Sequence, residues 1–208
     1  MPKPLCKIAD SPIHGRGVFA AKKIERGQII TKYGNVGVDN ESDYGMKFPD
    51  GIIRGGDPNR AIAAECGFMM NDTCKLCVDE KRVPTLKYVM QCFKDYNEKS
   101  DANTNVCFMD TKGTMIASRD IAKGEELFLT YGIPYWASRL IHTTHFPTIR
   151  FLTFVALVKT SQEPKMEMKL REAMGDEEKA HEMLCAFGFE ELPPGMTALI
   201  LTAIVNEQ

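Results

Sequence analysis

Up to about Trp136, short apolar runs alternate with Gly, Pro and Asp, a pattern that predicts strands and tight turns. The first three runs are Leu5-Cys6-Lys7-Ile8, Gly17-Val18-Phe19-Ala20 and Gln28-Ile29-Ile30-Thr31-Lys32-Tyr33. Met46-Lys47-Phe48 and Ile52-Ile53-Arg54 flank Pro49-Asp50-Gly51, and the glycine makes this a candidate hairpin turn. Val106-Cys107-Phe108-Met109 and Thr114-Met115-Ile116-Ala117 follow, with Lys112-Gly113 as the turn between them, and then Glu126 to Tyr131.

The chain also echoes itself. Ala21-Lys22-Lys23-Ile24-Glu25-Arg26-Gly27-Gln28 resembles Ser118-Arg119-Asp120-Ile121-Ala122-Lys123-Gly124-Glu125. Each copy sets an Ile three residues before a Gly and then enters a β run. The expected geometry is a tight connection in which the Ile plugs the core and the Gly turns the chain. Two copies are too few for a repeat architecture.

Beyond Trp136 the period changes. Ala137 to Lys159 and Lys165 to Phe187 have helical spacing interrupted by Pro147 and Pro164, and Met196 to Val205 is an apolar helix. Gly188 fits a helix C-cap and Pro193-Pro194-Gly195 a loop. The reading is a β-rich α+β domain over 1–136 and a small helical C-terminal subdomain over 137–208. The last helix is open between core and an interface that would make an oligomer.

Composition narrows the function classes. The 208 residues carry 44% hydrophobic and 26% charged positions, ordinary for a globular protein. No stretch approaches the roughly 18 apolar residues that span a bilayer, so no membrane role is expected. The opening residues lack a secretory apolar run, so the expected location is intracellular, nuclear or cytoplasmic. The net charge is −2. It divides into −5 from Lys165 to Gln208 and +3 over the rest, and no basic face points to direct nucleic-acid binding. The acidic end is a solvated face or an attractor of a basic partner.

The residues that carry chemistry come in a fixed order. Ser11-Pro12-Ile13-His14-Gly15-Arg16-Gly17-Val18 holds a Gly-x-Gly, which lets backbone approach a ligand closely. Tyr33-Gly34 follows, then Phe68-Met69-Met70-Asn71-Asp72-Thr73-Cys74, and finally Lys123-Gly124-Glu125-Glu126-Leu127-Phe128-Leu129-Thr130-Tyr131-Gly132. This order resembles the SET-domain lysine methyltransferases, with Tyr135-Trp136 similar to compact viral members. The middle motif departs: Asp72 stands where the family has His. The Asn of the family's Pro-Asn is displaced to Asn103-Thr104-Asn105 by an insertion of about 75–102.

The resemblance implies a SET fold of small sheets with a knot-like crossing, and methyl transfer from S-adenosylmethionine to a protein lysine, plausibly on histone tails or another basic protein. It implies Tyr131 as the catalytic residue. His14, Gly15, Arg16, Gly17, Asn71, Asp72, Tyr131 and Trp136 are the implied cofactor-binding set. Tyr33, Leu129 and Tyr135 are the implied lysine channel, with Tyr33 open between that role and sheet packing, and Trp136 between the site and the core. In the family the His locks the crossing; ionised Asp is an acceptor only, so here the lock needs a different partner. That substitution keeps a second reading open, a catalytically weak SET-fold binding or regulatory module.

No metal is expected. Seven cysteines read as buried free thiols; the competing reading is zinc held by Cys74-Lys75-Leu76-Cys77 with Cys66, Cys92 or Cys107.

Overall fold

The computed structural model describes residues 4–36, 44–160 and 178, and the chain divides into two compact units. One comprises Met1–Cys74 and Lys99–Thr130; the other comprises Lys75–Glu98 and Tyr131–Gln208.

The first unit holds the strands. They are β1 (Cys6–Asp10), β2 (Arg16–Ala20), β3 (Ile29–Lys32), β4 (Asn35–Val36), β5 (Met46–Lys47), β6 (Ile53–Gly55), β7 (Val106–Phe108), β8 (Thr114–Ala117) and β9 (Glu126–Leu127). They form three antiparallel sheets in the orders β1-β2-β9, β3-β8-β7 and β4-β6-β5. Alternation does its expected work in β8, where Met115 and Ala117 are buried and Thr114 and Ile116 less so. In β3 the register shifts between Ile29 and Thr31, which turns Ile29 outward to 54% exposure and buries Ile30 and Thr31.

Both turns expected between strands are present. Gly51 has φ +80° between β5 and β6, and Gly113 has φ +85° between β7 and β8. Beside the first turn, Arg54 is buried, donates to both Asp50 oxygens and lies 4.9 Å over the Phe48 ring. Phe48, Tyr33 and Phe108 pack ring against ring with centroids 5.4 to 5.9 Å apart.

The sequence echo is a structural clasp. Ile24 and Ile121 pair as an antiparallel bridge, each N–H donating to the other's carbonyl at 3.0 and 2.9 Å, and both side chains are fully buried. The surrounding bonds repeat with a displacement of 97 residues. Gly27 N–H donates to Ala117 and Gly124 N–H to Ala20, both at 2.8 Å. Ala117 N–H donates to Gln28, and Ala20 N–H to Glu125. Even the side chains correspond, Gln28 accepting from Glu25 N–H and Glu125 from Ala122 N–H. Gly27 and Gly124 take φ +81° and +86°, where a β-branched residue would be strained. The two connections are related by a local two-fold.

Cys6 and Cys66 lie in this core with sulfurs 3.7 Å apart, both close to the Ala63 carbonyl. Hydrogen bonding to Cys66, and after it burial, hold the Cys6 thiol far above the usual range. They are free thiols, as are Cys74, Cys77, Cys92 and Cys107. Among the described residues no group of three or more His, Cys, Asp or Glu side chains is placed to hold a metal.

Three expectations need correction. The β-only reading before Trp136 missed an 18-residue helix, α1 (Leu86–Asn103), in the inserted segment. Its face Val89, Cys92, Phe93, Tyr96 and Ser100 is buried at helical spacing, and the Thr85 hydroxyl caps it by accepting Tyr88 N–H at 3.2 Å. The strand expected over Glu126 to Tyr131 stops at Leu127, because the chain leaves the sheet to bridge Asn71 at Phe128. The helix expected from Ala137 begins earlier, α2 spanning Gly132–Thr143, and α3 spans Pro147–Thr160. Pro147 thus starts a helix, a position where its missing N–H costs nothing. The helical spacings from Lys165 to Phe187 and from Met196 to Val205 lie outside the described residues. Among those described, no helix is long and apolar enough to cross a membrane.

Two outcomes follow. Ile24→Ala and Ile121→Ala will each destabilise the protein by about 2–5 kcal/mol in chemical denaturation, since each empties a fully enclosed site. Arg54 donating to Asp50, with Ile52 N–H adding to it, lowers the Asp50 carboxyl from 3.8 to about 2. A lowered carboxyl contributes stability above pH 3.8 that is lost as pH falls through 2. Asp50→Asn will therefore flatten the stability curve across that window, as read by urea unfolding against pH.

Candidate functional site

The hairpin joining β1 to β2 carries the Gly-x-Gly. Asp10 pairs with Arg16, so the five residues Ser11 to Gly15 form its loop, closed by Ser11 N–H donating to the Gly15 carbonyl at 2.8 Å. Gly15 takes φ +50°, and a Cβ there would meet nothing within 4 Å. Gly17 is the opposite case. A Cβ on it would come within 2.1 Å of Glu126 Oε1 and 3.1 Å of Asn71 Nδ2. Gly15 supplies conformation; Gly17 supplies room for two buried side chains.

Those two side chains stitch the loop to the rest of the unit. The Asn71 amide donates to Glu126 Oε1 at 3.0 Å and is shared with the carbonyls of His14 at 3.3 Å and Arg16 at 3.4 Å. The other Glu126 oxygen accepts from the Ser11 hydroxyl at 3.0 Å. Arg16 reaches outward, donating to the Pro58 carbonyl at 3.1 Å.

Asn71 reaches this place because a single 3₁₀ turn, Gly67–Met69, drives the buried run Phe68-Met69-Met70 into the core just before it. Leu129 N–H then donates to the Asn71 carbonyl at 3.1 Å, and Asn71 and Phe128 form a parallel bridge. A second asparagine holds the same strand. Asn105, fully buried, accepts Phe128 N–H on its side-chain oxygen at 2.7 Å and donates to the Glu126 carbonyl at 2.8 Å and to the Glu125 carboxylate at 3.3 Å. Burial pushes the Glu125 carboxyl up, but the Arg119 ion pair at 2.6 Å, the Ala122 N–H and the Asn105 amide outweigh it and leave it lowered.

Asp72 is buried as well, and its carboxylate accepts Cys74 N–H at 3.0 Å, a local turn of the chain. Asn71 and Asn105 both hold the Glu126–Leu129 segment through its backbone. Leu129 belongs to the buried core of this unit, and Tyr33 packs beside Phe48 and Phe108 just past the end of β3.

The remaining expected residues sit in the second unit, at the head of α2. Gly132, the first helical residue, has φ +80° and donates its N–H to the Tyr96 hydroxyl of α1 at 3.1 Å. Tyr131 stacks on Trp136 at 5.8 Å and 20°, and meets Tyr135 edge-on at 4.8 Å. Tyr135 and Trp136 are also edge to face at 5.1 Å, and the Arg139 guanidinium lies 5.6 Å from the Tyr135 ring. The three aromatic rings form one cluster, as their spacing over the first helical turn allows.

So His14, Gly15, Arg16, Gly17 and Asn71 are brought together in one network, and Tyr131, Tyr135 and Trp136 in another. Sequence reasoning missed Ser11, Glu126 and Tyr96. Each of them acts on a residue distant along the chain, for which the sequence offered no local signal.

Comparison with known proteins yields one family. The family model for the SET domain matches residues 15–132, more than half of the chain. No curated protein sequence matches. Among solved structures, a crystal structure of a Plasmodium falciparum protein provisionally assigned as a histone methyltransferase is similar at 17% identity, with a TM-score of 0.32. The alignment covers 63% of this chain and 96% of that one.

Gly17→Ala will lower stability by about 1–3 kcal/mol, because the new methyl forces the Glu126 carboxylate off its buried hydrogen bonds. Glu126→Ala vacates the space the methyl needs, so the double variant will lose less than the sum of the single losses. Additive losses in denaturant melts would place the clash elsewhere.

Proposed function

Because the chain belongs to the SET-domain family, whose members are generally protein-lysine methyltransferases, we propose that it transfers methyl from S-adenosylmethionine to a lysine side chain on another protein. The observation that carries this reading is the β1–β2 hairpin held by the Asn71 amide, which donates to the His14 and Arg16 carbonyls, and by the Glu126 carboxylate, which accepts from Ser11. The family's fold with a knot-like crossing fits the parallel bridge of Asn71 with Phe128.

The residues suit the cofactor by their chemistry. Open space beside Gly15 admits a ligand against backbone, the loop offers amide N–H groups and the Arg16 guanidinium to a carboxylate, and Asn71 is a carboxamide able to accept from an ammonium. His14, Gly15, Arg16, Gly17, Asn71 and Asp72 are the proposed cofactor contacts, with Trp136 beside them in role. S-Adenosylmethionine, when bound, supplies a methyl group on a sulfonium.

Every other contribution belongs to the chain. Tyr131 is the proposed catalytic residue, its hydroxyl orienting the substrate amine, while Tyr33, Leu129 and Tyr135 line the lysine path. The lysine must arrive uncharged, and with an unperturbed pKa near 10.4 an apolar, aromatic path favours the neutral form. Rate then comes mainly from alignment of the reacting atoms. In this reading 1–136 is the transferring domain and 137–208 a helical appendage. Its acidic end, −5 over Lys165 to Gln208, favours a basic substrate such as a histone tail.

Asp72 in place of the family's His favours a second reading, a module with the fold but weak catalysis. Against it, Asn71 and Asn105 still hold the Glu126–Leu129 segment by hydrogen bonds to its backbone.

The deciding measurement is transfer of labelled methyl from S-adenosylmethionine to histones and a cell lysate. Wild-type protein will label a protein lysine, and Tyr131→Phe will lose about 10²-fold or more in rate. Cofactor binding without transfer to any substrate would favour the second reading.

A further inference from the structure

We infer that Tyr96, on the inserted helix α1, is a positioning residue for Tyr131. The inference rests on the proposed role of Tyr131. Tyr96 is 3% exposed, and its hydroxyl accepts the N–H of Gly132 at 3.1 Å.

That N–H belongs to the peptide plane joining Tyr131 to Gly132. The plane's orientation is fixed by two angles, ψ −19° at Tyr131 and φ +80° at Gly132. Gly132 readily adopts φ of either sign, so the local sequence leaves this plane free to rotate. Tyr131 makes no side-chain cap to the helix it precedes, and no acidic residue stands in the first turn of α2. Tyr96 therefore provides an acceptor from outside the segment, pinning the plane and with it the direction in which the Tyr131 side chain leaves the backbone.

The ring is held separately. Trp136 stacks at 5.8 Å and Tyr135 abuts at 4.8 Å, which set the side-chain torsions of Tyr131 once the backbone is placed. The Tyr96 bond thus acts on the backbone beside Tyr131, and the Tyr135 and Trp136 rings pack on its side chain. The inserted segment has a task in this arrangement: α1 delivers one hydroxyl to the chain directly after the proposed catalytic phenol. Its Val89, Cys92 and Phe93 are buried on the face that carries Tyr96, so the hydroxyl is delivered by a packed helix.

Tyr96→Phe tests this, since it keeps the ring and removes the acceptor. The Gly132 amide proton will shift upfield and exchange faster, and the Tyr131 ring carbon signals will move, both read by NMR. In steady state kcat will fall about tenfold, with KM for S-adenosylmethionine held within about twofold, because a small misplacement acts on alignment and leaves cofactor binding alone. A merely structural Tyr96 would lower the melting temperature and leave kcat unchanged below it. Unchanged Gly132 and Tyr131 signals, or an unchanged kcat where Tyr131→Phe is inactive, would overturn the inference. If the wild-type protein transfers no methyl at all, the proposed function fails, and the NMR signals alone decide whether Tyr96 positions Tyr131.

Discussion

A carboxylate buried against an amide governs this molecule. Glu126 lies inside the first unit with Asn71 on one oxygen and Ser11 on the other. A charged or polar group so placed is tolerable only when its partners are in position, and losing one costs more than making it gains. The requirement propagates. Gly17 must lack a side chain, the β1–β2 hairpin must bring Ser11 and the His14 and Arg16 carbonyls to one place, and β9 must end so that Phe128 can meet Asn71. The loop proposed to hold the cofactor is thus a by-product of satisfying one buried acid. The rigidity of that loop and the stability of the fold come from the same few bonds.

Asn105 shows how one buried carboxamide can hold a strand end. The residue replacing the family's His is Asp72, whose side chain accepts a bond from the neighbouring Cys74 N–H. The asparagine that follows the insertion comes after α1 and uses both ends of its carboxamide on Glu126 and Phe128. A carboxamide suits the task because it donates and accepts at once, which an ionised carboxylate cannot.

Much of this was legible beforehand. The Gly-x-Gly, Asn71 and the run ending in Tyr131-Gly132 pointed to the family, and the two Ile-x-x-Gly connections marked Ile24 and Ile121 as core and Gly27 and Gly124 as turns, though not that the two would pair. The hairpin at Gly51 followed from turn chemistry alone. Helix α1 escaped because its exposed face is rich in Lys, Asp and Gln and its buried stripe includes Cys92 and Ser100, which weigh little on a hydropathy reading. The period Val89, Cys92, Phe93, Tyr96 was there to be counted. The start of α2 at Gly132 was placed five residues late, at Ala137, because the β reading was carried on to Trp136. Glu126 and Tyr96 were beyond the sequence for a plainer reason: each acts on a residue distant along the chain, and periodicity speaks only of neighbours.

The clasp of Ile24 with Ile121 has a consequence for how the chain is born. Its two halves are separated by most of the strand-bearing sequence, so neither can be satisfied until the other exists. At synthesis rates of roughly 5–20 residues per second, the first half waits on the order of 5–20 s for its counterpart. During that interval Ile24 and the Phe68-Met69-Met70 run have no finished core to enter. Contacts of such long range also make for slow folding, because the entropy of closing the loop is lost before the contact is gained. The local two-fold that makes the mature core economical thus makes the nascent chain dependent on its own far end, and on whatever shields it meanwhile.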